Sequence, residues 1–177
     1  KLSALVDDMT NMKFLEVGSQ EITLERVPVQ QVVAHAYKES MLTIEAKGLT
    51  CEIDLPGAPV FINADQQKLE QAILNVLNNA IRFTPNSGTM DIKVSQDNDL
   101  AIIEIKDSGI GMPINELEKI FGDFYQVESH LTRTYGGMGL GLAITRGIIN
   151  LHKGHIWAKS AGKDAGSSFL ISLPLAT

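Results

Sequence analysis

The chain reads as an α+β protein, a two-layer α/β sandwich in which a mixed β-sheet carries helices packed on one face. Two patterns predict this: short alternations of apolar and polar residues, as in half-buried strands, and longer runs repeating at three and four residues, as in helices lying on a core. The third observation is their order, with strands before, between and after the helices, which suits one sheet covered on one side. At 177 residues, 44% hydrophobic and 20% charged, the chain is long enough to bury one substantial core.

Taken in order, residues 1–16, KLSALVDDMTNMKFLE, place Leu2, Leu5, Met9, Met12 and either Phe14 or Leu15 at near-heptad steps. Two readings stay open, the tail of a helical module continuing upstream and a terminal helix folded onto this domain. Residues 22–29 predict a strand, and 29–47 a helix with Val32, Val33, Ala36, Met41 and Ile44 available for burial, closed by Gly48. Two short strands follow at 49–55 and 60–63, joined by Pro56-Gly57-Ala58-Pro59, whose rigid and permissive residues mark a turn. Asp65 is placed to cap a helix over 65–84. Alternating runs at 89–95 and 100–106, separated by Gln96-Asp97-Asn98-Asp99, read as a hairpin. Pro113 opens a short helix through 120, and no period is sustained from 121 to 136. A helix over 142–151 ends at His152-Lys153-Gly154, and strands at 155–160 and 167–175 complete the sheet around a turn at 161–166.

The helix at 65–84, DQQKLEQAILNVLNNAIRFT, organises the rest. Leu69, Ile73, Val76 and Ala80 form its core face, and Asn75, Asn79 and Arg82 repeat at the same steps on an adjoining one. Lys68 lies one turn earlier and Phe83 sits on the border between the stripes. A solvated face is one reading of the polar stripe. Asn, however, competes with the backbone for hydrogen bonds and is a poor choice inside a helix, yet Asn75, Asn78 and Asn79 all fall there. A face filled for stability would use Glu, Lys, Gln or Ala, so the stripe also reads as a site.

Composition narrows the partners. The formal net charge of −6 and the lack of a Lys/Arg cluster argue against a nucleic-acid surface, where phosphate neutralisation supplies most of the affinity. The lone Cys51 lies in the alternating stretch LTCEIDL and reads as a half-buried strand residue; no disulfide can form within the chain. No apolar run reaches bilayer-spanning length, and the first residues lack a signal peptide's apolar centre. The expectation is a soluble chain in a reducing compartment and, because Lys1 is not a natural initiator, an excised piece of a longer protein.

Two further stretches carry chemistry. Gly137, Gly139 and Gly141 stand at the mouth of a helix, where unpaired N–H groups and the helix dipole favour anions and missing side chains let phosphates approach. A glycine-rich hairpin turn is the alternative. The spacing is neither the dinucleotide fingerprint nor a P-loop. Asp107 ends a strand and is followed by Gly109 and Gly111, so its carboxylate can either close an Asx turn or accept a hydrogen bond from an exocyclic amino group such as that of adenine. With those in place, Asn79 can offer an oxygen to a Mg²⁺ that takes its other ligands from phosphates and water, Arg82 can pair with a phosphate, and Phe83 can lie against a base.

In order along the chain, NVLNNAIRFT, DSGIGM, IFGDFYQ and GGMGLGL resemble the motifs of the catalytic, ATP-binding domain of two-component sensor histidine kinases, within the GHKL ATPase superfamily. The resemblance runs from about residue 17 to the C-terminus. It implies a Bergerat-type ATP-binding fold over 17–177 that uses ATP and Mg²⁺, with residues 1–16 as the end of a dimerisation and phosphotransfer helix. It implies that Asn79 is the Mg²⁺ ligand, that Asn75 contacts the metal and phosphate region and that Arg82 touches phosphate, these three serving catalysis. Phe83 would pack near the nucleotide. Asp107 would bind the adenine amino group on a wall shaped by Gly109, Gly111 and Met112. Phe121 and Phe124 match the motif that anchors a mobile lid at about 126–136, where Arg133 would contact phosphate. Gly137, Gly139 and Gly141, with Met138, Leu140 and Leu142 among them, would cradle the phosphates.

Some positions depart from the family pattern. Met138 stands where Thr or Ser is common and removes a hydroxyl from the phosphate region. Arg82 and Phe83 replace the commoner Lys and Tyr, and Gly122-Asp123 replaces a frequent acidic-Pro pair. The four histidines, His35, His130, His152 and His155, all lack the acidic neighbour of a phosphoacceptor and show no metal-ligand spacing, so the acceptor is expected outside this chain. The reading is therefore a protein-histidine kinase catalytic domain that donates the γ-phosphate of Mg·ATP to a histidine on an upstream bundle, for relay to a response regulator. As a piece it is expected to be a cytoplasmic monomer without nucleic-acid or membrane contact, its parent a homodimer that can be membrane-anchored. Because an amide at Asn75 cannot act as a general base where hydrolysing relatives carry Glu, transfer is favoured over hydrolysis. A hydrolysing GHKL ATPase that drives conformational change, and a nucleotide-binding module without transfer, are the alternatives.

Overall fold

A computed structural model describes residues 21–125 and 139–176. The elements are β1 (Glu25–Pro28), α1 (Val29–Ala46), β2 (Thr50–Asp54), β3 (Phe61–Ala64), α2 (Gln66–Phe83), β4 (Thr89–Asp97), β5 (Leu100–Asp107), two single 3₁₀ turns (Ile114–Glu116 and Lys119–Phe121), α3 (Gly141–Leu151), β6 (His155–Lys159) and β7 (Ser167–Pro174). The expected leading helix at 1–16 and the expected lid at 126–136 lie outside the described residues.

The main sheet has five strands in the order β2-β4-β5-β7-β6. β2 and β4 are parallel, and every other neighbouring pair is antiparallel, so the sheet is mixed as expected. β4 and β5 form the predicted hairpin, with Asn98 at its tip in the left-handed region at φ 52°. Alternation along these strands buries Met90, Ile92 and Val94 on β4 and Ala101, Ile103 and Ile105 on β5 against the helices. The helices cover that one face, with α2 between α1 and α3.

Three details differ from expectation. β3 does not join the main sheet but pairs with β1 in a separate two-stranded antiparallel ribbon, where Val27 faces Ile62 and both are buried. Gln30 explains the redirection: its side-chain amide donates to the carbonyls of Pro56 and Ala58 at 3.2 and 2.6 Å, and its oxygen accepts from the Val60 N–H at 3.0 Å. The loop is thereby tied to α1, which carries β3 away from β2. Residues 113–120 form two 3₁₀ turns instead of one short helix, since eight residues with Pro113 at the start are too few to pay the nucleation cost of a stable α-helix. Met41, expected to be buried on α1, is instead exposed, whereas Val32, Val33, Ala36 and Ile44 are buried.

α2 begins where expected. The Asp65 carboxylate accepts from the Lys68 N–H at 3.2 Å, satisfying one orphan donor of the first turn. At the other end, Lys47 from the end of α1 donates to the carbonyls of Ile81 and Arg82, the latter at 2.9 Å, where unpaired C=O groups attract a cation. Leu69, Ile73, Val76 and Ala80 are buried as predicted, joined by Ala72, Leu77 and Ile81. That apolar stripe fixes the rotation of the helix and hence where its polar stripe points. Cys51 on the edge strand β2 is half-buried, and burial with the nearby Asp91 carboxylate pushes its thiol up to about 11.

Candidate functional site

The polar stripe of α2 is half-buried at Asn75, Asn79, Arg82 and Phe83, while Asn78 points to solvent. At its near end the Asn75 carboxamide donates from Nδ2 to the Gly141 carbonyl at 3.2 Å. At its far end the Phe83 carbonyl accepts from the Ile110 N–H at 3.2 Å. The helix is therefore bonded to both glycine-containing stretches singled out in the sequence. The Arg82 guanidinium lies 5.9 Å from the Phe83 ring centroid, and among the described residues no carboxylate pairs with it.

Asp107 closes β5 and is 5% exposed. Its carboxylate accepts from the Gly109 N–H at 2.8 Å, the Asx turn anticipated from sequence, and also from the Ser167 N–H. Burial pushes the Asp107 carboxyl above the usual carboxylate range, and these two donors partly offset the rise by favouring the charged form. Gly109 lacks a side chain for a steric reason, because a Cβ would come within 2.6 Å of both the Asp107 oxygen and the Phe83 carbonyl oxygen. Gly111, at φ 60°, sits against the Gly162 carbonyl. The Asp164 N–H donates to the Ile110 carbonyl at 2.6 Å, the Gly166 N–H to Gly109 at 3.0 Å, and the Met112 N–H to the Ser160 hydroxyl at 3.1 Å. The stretch from Asp107 to Met112 is thus a rigid wall knitted between α2 and the turn ahead of β7.

The two described glycines of the third stretch differ. Gly139, at φ 72°, lies against the backbone of Phe124 and Tyr125, where a Cβ would come within 2.6 Å of the Tyr125 carbonyl oxygen. Gly141 has no such constraint, since a Cβ there would meet only Asn75 at an ordinary 3.8 Å. It opens α3, whose N-cap Leu140 offers no side-chain acceptor. Leu140 is buried and Leu142 packs on the core, so both serve as anchors. Gly137, Met138 and Arg133 lie outside the described residues.

The two phenylalanines also part company. Phe121 is core, meeting Phe169 edge-on with centroids 6.4 Å apart and carrying the Arg146 guanidinium 5.9 Å from its own. Phe124 is 59% exposed in the left-handed region at φ 58°. Next to it the Tyr125 hydroxyl donates to Glu116, and chiefly for that reason the Glu116 carboxyl is held below its usual range.

Three residues at the site were not singled out from sequence. Thr145 is fully buried on α3 and donates to the Gly141 carbonyl at 2.9 Å, with the Ala72 carbonyl 3.4 Å away; a lone hydroxyl in the apolar run LAITRGII was the available signal. Ser160 takes the Met112 N–H and donates to Gly166 at 2.7 Å, and a Ser leading into a glycine-bearing turn is the corresponding clue. Ser167 acts through its backbone N–H, for which side-chain identity carries no signal.

The profile of a family described as "Histidine kinase-, DNA gyrase B-, and HSP90-like ATPase" matches residues 64–177, and the chain belongs to that family, the GHKL ATPases. Within it the chain is similar to sensor histidine kinases. It is 34% identical over 176 residues to the sensor protein kinase WalK of Staphylococcus haemolyticus, covering 98% of this chain and 28% of WalK. It superposes on the mycobacterial sensor histidine kinase MprB with a TM-score of 0.74 at 26% identity, covering 86% of this chain and 98% of that one. Against full-length ShkA, solved in complex with AMPPNP, the TM-score is 0.83 at 25% identity, over 99% of this chain and 36% of ShkA. The mixed sheet with helices on one face is the Bergerat fold of these relatives. The chain spans about 28% of the length of the WalK relative.

Proposed function

We propose that this chain is the catalytic domain of a protein-histidine kinase, which binds Mg·ATP and presents its γ-phosphate to a histidine on a bundle outside the chain, for relay to a response regulator. The observation that carries this reading is that one helix, α2, is bonded through Asn75 to the mouth of α3 and through Phe83 to the turn after Asp107. Three candidate contact surfaces are thereby fixed relative to one another, as phosphoryl transfer requires, since it depends on positioning and charge neutralisation more than on covalent chemistry by the protein. The similarity to ShkA, solved with AMPPNP, supports the ligand class.

The residues present fit the group. Among the described residues no three His, Cys, Asp or Glu side chains cluster to cage a metal, and Mg²⁺ held mainly by phosphates and water needs only one amide oxygen, which Asn79 supplies. Bound there, Mg²⁺ would neutralise phosphate charge. Arg82 would pair with a phosphate oxygen and Phe83 would flank the nucleotide. The uncapped N–H groups at the start of α3 would face anionic oxygens, with Gly137, Gly139 and Gly141 leaving room for them. Asp107 already receives two backbone donors, which hold the carboxylate as an oriented acceptor for an exocyclic amino group.

Transfer is favoured over hydrolysis at Asn75, whose amide lacks a basic site and whose Nδ2 is occupied by the Gly141 carbonyl. The described histidines also argue for an external acceptor. Both ring nitrogens of buried His152 are bonded, His155 stacks on Trp157 with centroids 5.7 Å apart, and His35 pairs with Glu70 at 3.0 Å on α1, away from the polar stripe. His130 lies outside the described residues. Incubation with γ-labelled ATP tests the reading: the chain alone should acquire no acid-labile label, and adding the parent's His-bearing bundle should produce labelled bundle. Steady phosphate release by the chain alone, without label transfer, would instead establish the hydrolysing alternative.

A further inference from the structure

Helices α2 and α3 run antiparallel and are joined at the two ends of α3 by polar bridges in one register. Asp65 meets His152 at one end and Asn75 meets Gly141 at the other, while between them the Thr145 hydroxyl, which donates to Gly141, lies 3.4 Å from the Ala72 carbonyl. The first bridge is the least expected. His152 is 4% exposed, its Nδ1 lies 2.8 Å from the Ile148 carbonyl, and its Nε2 lies 2.9 Å from the Asp65 backbone nitrogen. A carbonyl only accepts and an amide N–H only donates, so these partners require a neutral imidazole with its proton on Nδ1. The ring is aimed by the end of its own helix, where the Lys153 N–H returns to Asn150 and the Gly154 N–H to Ile149, both at 2.9 Å. Asp65 in turn is the N-cap of α2, its carboxylate engaged by the N–H groups of Lys68 and Thr23.

We propose that His152 is a positioning residue for the nucleotide pocket: its neutral imidazole pins the N-cap of α2 to the C-terminal end of α3 and so sets the register in which Asn75 meets Gly141. The inference rests on the pocket reading above for its functional consequence, though not for the pin itself. Apolar contacts between the helices, such as those available to Leu69, Ile73, Ile148 and Ile149, are non-directional and tolerate sliding. A slip of one residue moves a helix by about 1.5 Å, enough to part a 3.2 Å bridge at the far end. Directional bonds at both ends remove that freedom, and His152 supplies the one farthest from the phosphate region.

The test uses the full 177-residue chain. Nitrogen NMR of the wild-type imidazole should show His152 protonated at Nδ1 and bare at Nε2; protonation at Nε2 would overturn the proposal. His152→Phe keeps a ring and removes both bonds, whereas His152→Gln restores an acceptor near the position of Nε2. In His152→Phe, the Asp65 amide should exchange faster, the Asn75 carboxamide resonances should move, and affinity for a fluorescent ATP analogue should fall by roughly two- to thirtyfold, the range for residues acting on a site they do not touch. His152→Gln should recover all three. A folded His152→Phe with unchanged Asn75 resonances would overturn the proposal, as would a folded His152→Gln that protects the Asp65 amide yet leaves Asn75 displaced. Failure of the wild-type chain to bind the analogue would refute the pocket reading, while the tautomer and the Asp65 and Asn75 resonances still decide the pin.

Discussion

The side-chain amide of Asn75 donates to the backbone carbonyl of Gly141 at 3.2 Å, tying the middle of α2 to the first residue of α3. Replacing the donor by an acceptor of the same shape tests the bond. Asn75→Asp should cost about 1–2 kcal/mol at neutral pH, because a carboxylate would then face a carbonyl in a partly buried place. Repulsion and burial raise the folded-state pKa of the new carboxyl, so part of that loss should return on acidification as it becomes protonated. Denaturant titrations at neutral and acidic pH measure both effects.

Gly139 and Gly141 should separate under the same substitution. Gly139→Ala would force a left-handed L-residue against the Tyr125 carbonyl and is expected to cost about 2 kcal/mol or more. Gly141→Ala meets only Asn75 at van der Waals distance and should leave stability unchanged or slightly higher, while lowering affinity for ATP analogues if phosphates approach there. Thermal melts and analogue titrations of the two variants provide the comparison.

Lys153 occupies the left-handed position that closes α3, at φ 58°. Glycine adopts that conformation without a Cβ penalty, so Lys153→Gly should stabilise the fold by about 0.5–1 kcal/mol after its own chain-entropy cost. The midpoint of thermal unfolding should then rise by about 2 °C.

Burial raises the Asp107 carboxyl above its unfolded value, so the charged form carries a stability cost at neutral pH. That cost is absent below the ordinary carboxylate range and appears as pH rises through the folded-state value. Asp107→Asn should therefore fold at least as well as the wild type at neutral pH and flatten this part of the stability profile. If the carboxylate selects an amino group, the variant should also lose discrimination between ATP and GTP, as competition binding would report.

Much of this arrangement is legible in the sequence because it depends on local chemistry. Asp65 caps its helix, Leu69 to Ala80 face the core at the spacing read from the chain, and the Asx turn at Asp107 follows from one carboxylate ahead of a glycine. What escaped depends on partners distant in sequence. The separate pairing of β1 with β3 rests on Gln30 gripping a loop about thirty residues away, which no period within either strand records. His152 looked like a helix-end residue because its acceptor role requires Asp65, far back along the chain. Gly139 reads as phosphate-shaping from its spacing, yet its contact with Tyr125 is reason enough for the missing side chain, so the spacing alone could not separate the two demands.

In the proposed function the polar stripe of α2 holds Mg·ATP, with Asn79 as the protein's ligand to the metal. Isothermal titration of ATP into the 177-residue chain, with Mg²⁺ and again with excess chelator, tests it most directly alongside Asn79→Ala. Binding by the wild type should weaken on chelation, and a folded Asn79→Ala chain should bind ATP weakly whether or not Mg²⁺ is present. Equal Mg²⁺-dependent affinity in the two chains would contradict that role for Asn79.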